Sequence, residues 1–546
     1  MPKFNLSYHK VPNIHFKDLS FNGFQFYNPL YNELFNLDEN SFNKITLNQK
    51  YQFISENQIY DTSNKETINQ DYFIKYSPLV DPTKYMVGKY TTCNLSLPTI
   101  HDTSSNVYHK IIHFNNVSYI DNFFYYLSSQ ILNYHNFQNS IDYYGSFMCI
   151  KDKFKYDISD DLEYLYSSEF FNNNLNELFT ITENTEGFFS FGSRANKKKL
   201  NISSSSIHNI SACTLKSFHS IEEQPSSEFD LSNSLVYVNH SSRESLLISE
   251  SDSETESSED SEINYSSDEE GNTSNDDESE DEEEEEDDDD DEDSDYNDDK
   301  FAYLNNFPVQ AICMEKCNGT LDKLFENELM SSHEGICALF QVIMTLICYQ
   351  KMFYFTHNDL HTNNIMYKET KEPFLYYRYN KQYYKVPSYG KIYKIIDFGR
   401  SIFRFNNKLF CSDSFGPDGD AHTQYNCEPF FNTTKARIDP NFSFDLCRLG
   451  CSLYDFIIDE HERPEDFNDL QKIVNLWCTD DDNKNILYKK NGEERYPNFK
   501  LYKMIARTVH NHTPEKQLNI SIFKQFECKQ VINNNLMNID VLPSYI

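Results

Sequence analysis

Between residues 119 and 133, Ile120, Phe123, Phe124, Leu127 and Ile131 recur three and four positions apart, which places them on one face of a helix. The run GICALFQVIMTLICY (335–349) is apolar almost throughout. It predicts a long buried helix near 335–352 and is too short to cross a bilayer. A further helix is predicted near 444–458, within SFDLCRLGCSLYDF. Short runs rich in β-branched and aromatic residues, bounded by polar turns, predict strands. They are YQFI and DYFIKY within 51–76, SIDYYGSFMCI (140–150) and VQAICM (309–314). FLYYRYNKQYYKV (374–386) predicts a strand hairpin.

This patterning stops near residue 195, where Ser and Asn and then Asp and Glu take over as far as Asp299. Such a stretch buries too little apolar surface to offset its ordering entropy, so disorder is predicted over roughly 195–299. The core-like pattern resumes at Phe301, which suggests one domain carrying a long insert. Charge follows the same division. The chain has 546 residues and a formal net charge of −38, and residues 250–299 alone hold 30 acids and no Lys or Arg. Outside that stretch 56 acids face 48 bases, so bulk charge makes no case for nucleic-acid binding.

Thirteen cysteines are scattered without a Cys-x-x-Cys pair. Cys313/Cys317 and Cys447/Cys451 have no nearby His to complete a metal set, so buried thiols in a reducing compartment are expected. The first residues, MPKFNLSYHK, lack the apolar stretch of a signal peptide. The expectation is an intracellular protein with no membrane partner.

The candidate chemistry lies in FTHNDLHTNNIMY (355–367), which holds His357, Asp359 and Asn364 as His-x-Asp-x-x-x-x-Asn. Thirty-three residues beyond Asn364, KIIDFG supplies Asp397, Phe398 and Gly399. Phosphoryl transfer from a nucleotide is mostly positioning and charge stabilisation. One carboxylate must orient the incoming hydroxyl, and a second carboxylate with an amide must hold Mg²⁺ against the phosphates. Asp359, Asp397 and Asn364 supply those groups, and both metal ligands, Asn364 and Asp397, sit at the edge of an apolar strand.

These segments resemble the eukaryotic protein-kinase family, and most of all serine/threonine kinases of giant DNA viruses. CMEKCNGTLDKLF (313–325) looks like a kinase hinge, with Glu315 and its neighbours where backbone groups would hold adenine. SFDLCRLGCSLYDF looks like the large-lobe helix whose Asp, here Asp445, anchors the catalytic loop. DYFIKYSP looks like the strand carrying the phosphate-binding lysine, here Lys75. Its acidic partner on the following helix would be Asp121, shorter than the family's Glu. The resemblance covers roughly 70–160 and 301–530. It implies an α+β fold, the bilobal protein-kinase-like fold, with a long disordered acidic insert in the small lobe. The implied division is an N-terminal extension (1–50), the first part of the small lobe (51–160), the low-complexity insert (161–300), the last small-lobe strand and hinge (301–315), the large lobe (316–535) and a tail (536–546).

The resemblance further implies ATP and Mg²⁺ as cofactors, and transfer of the γ-phosphate to Ser or Thr of a protein substrate. Asp359 would be the base, with His361 beside the transferring phosphate where the family carries Lys. Lys75, Asp121 and Glu315 would bind nucleotide, and Asn364 and Asp397 the metal. A viral chain of this kind would act in host cytoplasm or virion. The sequence departs from the family in several places. No Gly occurs between Gly23 and Gly88, so the phosphate-covering loop lacks its usual glycines. Asn358 stands where an Arg would read a phosphorylated activation loop, and Glu428-Pro429 is only a weak counterpart of the usual Ala-Pro-Glu. Two alternatives stay open. Asp-Leu-His-x-x-Asn also resembles the loop of choline and aminoglycoside kinases, which leaves a small-molecule or lipid kinase of the same fold, and the missing glycines suit a pseudokinase used as a binding module. Ser249 and Ser253, each with an acid three residues on, match the pattern an acid-directed kinase reads.

Overall fold

The computed structural model describes residues 2–11, 14, 20–90, 95–100, 108–159, 161–181, 300–327, 329–459, 461–531 and 535–546. Most of the predicted acidic insert, with Ser249 and Ser253, lies outside them. Helix (31%) and strand (27%) are both substantial, and the sheets are almost wholly antiparallel, which makes the class α+β.

The main sheet is built from β1 (Phe21–Gln25), β2 (Tyr72–Pro78), β3 (Tyr143–Asp157) and β4 (Phe301–Glu315). Its order is β1-β3-β4-β2, with Phe179–Ile181 also pairing β4. The central strand β4 is buried without interruption from Phe307 to Glu315, as an apolar run covered on both faces must be. β2 pairs antiparallel with β4, Lys75 opposite Ile312 and Tyr72 opposite Glu315. It is the edge of that sheet among the described residues. A separate small sheet from residues 51–69 packs on β3 at Gly145. There φ is +118°, and an added Cβ would meet the Phe53 ring at 3.1 Å.

Helix α1 (Val117–His135) begins at Asn116, whose side chain accepts from Ser118 N–H, and ends at Asn136 in the left-handed region. The apolar spacing predicted one buried face, yet 16 of the 19 residues are buried. The helix is enclosed on most of its surface, and some of its polar positions find partners inside the protein. Ser118 donates to Pro78 O (2.7 Å), and Ser128 lies 2.8 Å from the Tyr349 hydroxyl.

The segment from 161, counted with the insert by composition, is structured as far as it is described. It forms short helices at Leu162–Tyr166 and Glu169–Asn174 before the strand at Phe179–Ile181. Its anchors are apolar: Leu165, Phe171 and Phe179 are fully buried.

Helix α2 (Ser332–Phe353) opens with a capping box formed by Ser331 and Glu334. Its 22 residues are long and apolar enough, by length and composition, to span a bilayer, but 94% of the most apolar window is buried inside the protein. Beyond it, β5 (Ile365–Glu369) pairs with β8 (Lys391–Ile395), enclosing the hairpin of β6 (Phe374–Tyr379) and β7 (Gln382–Pro387). Residues 536–538 join that hairpin as a parallel strand. Helices α3 (Phe444–Ile457), α4 (Asp469–Trp477) and α5 (Lys500–Thr508) complete the part that positions the site. No disulfide joins any described cysteine.

Candidate functional site

Lys75 points inward from β2 and is almost wholly buried. Its Nζ lies 2.7 Å from Asp121 Oδ2 and 2.9 Å from Asp397 Oδ1. Asp121 is in the second turn of α1, and Asp397 follows the end of β8. Asp397 adopts φ +62°, a conformation that costs an L-residue roughly 1–2 kcal/mol. Two hydrogen bonds to α1 hold it there. Asp397 N–H donates to Tyr125 Oη (2.9 Å), and Phe398 N–H donates to Asp121 Oδ1 (2.7 Å). The Phe398 ring packs on Phe124 (4.7 Å between centroids) and Tyr125 (4.9 Å). Gly399 lets the chain pass the first turn of α1, since an added Cβ would come within 2.9 Å of Val117.

Burial pushes the Asp121 carboxyl up to about 6 against the pull of Lys75. Burial also opposes ionisation of Asp397, but Lys75 outweighs it and holds that carboxyl below its ordinary value. The Asp397 side chain remains 33% exposed, so one face of this cluster is open.

The loop 356–364 hangs from one carboxylate. Asp445, in the first turn of α3, accepts from His357 N–H (2.9 Å) and Asn358 N–H (2.8 Å). Burial raises its own carboxyl, with His357 pulling against that. Asp359 N–H donates to His357 Nδ1 (3.3 Å), which leaves His357 Nε2 to donate to Ile396 O (2.9 Å). Asn358 has φ +65°. Its side chain donates to Arg400 O (2.9 Å) and accepts from Tyr425 Oη (2.8 Å), so it ties the loop to the segment after Gly399.

The Asp359 carboxylate is held by groups from elsewhere in the chain. Tyr502 Oη lies 2.7 Å from Oδ1, Arg400 Nη1 3.5 Å from Oδ2, and Arg448 Nε 4.0 Å from Oδ1. Asn364 Nδ2 donates to Asp359 O (2.9 Å) and contacts His361 Nε2 (3.1 Å). Because the amide nitrogen is committed to a carbonyl, the His361 ring nitrogen must accept. His361 here orients Asn364. Strand pairing brings Asn364 to Asp397, with Ile365 opposite Ile395 and Ile396 N–H donating to Asn364 O (3.0 Å).

Glu315 stands apart from this cluster. Its carboxylate is taken by Lys394 (2.6 Å), Lys368 (2.9 Å) and Asp142 N–H (2.8 Å), and its own N–H donates to Asp142 O (3.0 Å). The side chain therefore ties the end of β4 to β5 and β8. An open cleft of about 740 Å³ touches the following turn at Lys316, Cys317 and Asn318, and is also lined by Gln70, Asp71 and Lys368. It shares no residue with the Lys75–Asp397 cluster.

Three residues around Asp359 carried no sequence signal as a group. Arg400 adjoins Gly399, and Arg448 lies one helical turn from Asp445. Tyr502 is 143 residues away from Asp359 along the chain. Arg400 also pairs with Asp420. Asp413, in the same segment, accepts from Val117 N–H (2.9 Å) and lies 3.6 Å from Lys110. Among the described residues no group of three or more His, Cys, Asp or Glu could hold a metal ion. No family model matches the chain, and no curated protein is detectably similar to it in sequence.

Proposed function

We propose that the chain is an ATP-dependent protein kinase of the bilobal kinase fold, acting on Ser or Thr hydroxyls. The observation that carries this reading is one buried lysine bridging an acid on α1 and the Asp397 carboxylate, with Asn364 and Asp359 supplied by the adjoining loop. The order in which β2, β4 and β3 lie side by side, followed by a turn into the helical part, supports the same reading.

Lys75 would bind the α- and β-phosphates, and the pair with Asp121 would fix its position. Asp397 and Asn364 fit Mg²⁺ in donor type: a partly exposed carboxylate, and an amide whose nitrogen is already bonded, leaving its oxygen. Magnesium sites of this kind take one or two carboxylates and complete the shell with phosphate and water. When bound, the metal would neutralise charge developing on the phosphate oxygens. Asp359 accepts the proton of the substrate hydroxyl as that oxygen bonds to the γ-phosphorus. The bond to the β,γ-bridging oxygen breaks, and its electron pair leaves with ADP.

A second reading, nucleotide binding without transfer, is favoured by one observation. β2 is a sheet edge among the described residues, so no described strand roofs the phosphate side of Lys75. Full-length protein incubated with γ-labelled ATP and Mg²⁺ separates the readings. Mixed protein, choline and an aminoglycoside would be offered as acceptors. Label on protein Ser or Thr is expected. Label only on a small molecule, or nucleotide binding with no transfer, would overturn the proposal.

A further inference from the structure

We infer that Tyr502 is a positioning residue for the proposed transfer, acting through Asp359; this rests on the kinase reading. Arg448 Nε donates to Tyr502 Oη (2.8 Å). A phenol has one proton, and with its oxygen already accepting from Arg448, that proton is directed at Asp359 Oδ1, 2.7 Å away. Arg400 approaches the other carboxylate oxygen at 3.5 Å. Each oxygen is thus engaged from one side, which fixes rotation of the carboxylate. An ionised carboxylate offers about four acceptor positions, so capacity remains for a substrate hydroxyl.

The phenol is itself held in place. Both guanidinium groups lie over its ring, Arg448 at 5.1 Å and Arg400 at 5.7 Å from the centroid. Phe499 stacks on it at 5.4 Å and Phe444 packs at 6.1 Å. Leu501, Tyr502, Ile505 and Ala506 form the buried side of α5, and Arg507 donates to Thr423 O (2.9 Å). The helix is therefore docked independently of the Tyr502 hydroxyl. Packing alone would explain the ring but not an oxygen placed between Arg448 and the candidate base.

The test is a double-mutant cycle on the full chain, using labelled ATP, Mg²⁺ and mixed protein as acceptor. Tyr502→Phe removes only the hydroxyl. A hydrogen bond to a charged group predicts a fall in kcat of about tenfold to a hundredfold, with KM for ATP unchanged. In an Asp359→Asn background the same change should have no further effect, because the group it acts through is gone. If Tyr502→Phe does not fold, Arg448→Gln takes its place in the cycle, with a smaller fall and the same loss of effect in Asp359→Asn. An equal fall in both backgrounds, or no fall in the wild-type background, would overturn the inference while leaving the kinase reading intact. No transfer by the unaltered chain would overturn both.

Discussion

Two clusters of lysine and carboxylate, one on each of two neighbouring strands of the main sheet, differ in their state of charge. Around Glu315, two carboxylates (with Asp142) meet two ammonium groups, Lys394 and Lys368. Burial opposes ionisation of Glu315, but the two lysines win and hold it below its ordinary value. Lys394 and Glu315 are only 4% and 5% exposed, Lys368 reaches solvent at 40%, and the charges of the cluster are balanced. Around Lys75, two carboxylates share one ammonium group, and one of them is open to solvent. The first arrangement suits holding strands together. The second keeps an excess negative charge that a cation could neutralise.

That difference can be broken at Glu315. Removing one partner of a buried ion pair costs about 3–5 kcal/mol because the other charge stays buried. Glu315→Gln should lose that much in denaturant unfolding, with phosphotransfer per folded molecule unchanged. A loss of transfer without loss of stability would show that the balanced cluster is part of the site.

At the Lys75 cluster the effects should fall on chemistry. Asp359→Asn is expected to reduce transfer by about 10²-fold or more, the scale of a positioned acid–base group, with the melting midpoint held. Asp397→Asn should weaken Mg²⁺-dependent nucleotide binding, read by titration calorimetry with and without Mg²⁺. Retention of most turnover by Asp359→Asn would remove the base assignment.

Asp142 sharpens the comparison through pH. Burial, then the neighbouring Glu315, pushes its carboxyl up to about 6, against bonds from Ser129 and Asn133. Its folded value is above the unfolded value of ~3.9, so the folded chain binds more protons between them. This group's contribution is therefore greatest below about pH 4 and is lost as pH rises through about 6. The shift corresponds to about 2–3 kcal/mol. Asp142→Asn should flatten the decline in unfolding free energy over that window. An unchanged decline would place the titration elsewhere.

The smallest expected effect is none. The segment after Gly399 is already tied down by Asp420 on Arg400, Asp413 on Lys110 and Val117 N–H, and Asn358 on Arg400 O. Carboxylates occupy the cations an added phosphate would need. Phosphatase-treated protein should transfer at the untreated rate. A large loss, restored by rephosphorylation between Asp397 and Glu428, would contradict this.

Much of this site could be read from local runs of residues. The helix at 117–135 follows from apolar spacing and the one at 332–353 from a long apolar run, and the loop 357–364 and the turn at 397–399 each fit within a few residues. Asp445 was singled out only by the resemblance of its segment to the large-lobe helix of kinases. Periodicity and turn chemistry act over a few residues, so the sequence by itself determines them. Only tertiary structure decided the rest. It brought Tyr502 and Arg448 to Asp359, engaged Glu315 in ion pairs with two lysines, made His361 an acceptor and buried most of α1. Those outcomes depend on which distant groups are brought together when solvent is excluded, and a buried charge or hydroxyl takes whatever partner the packing offers.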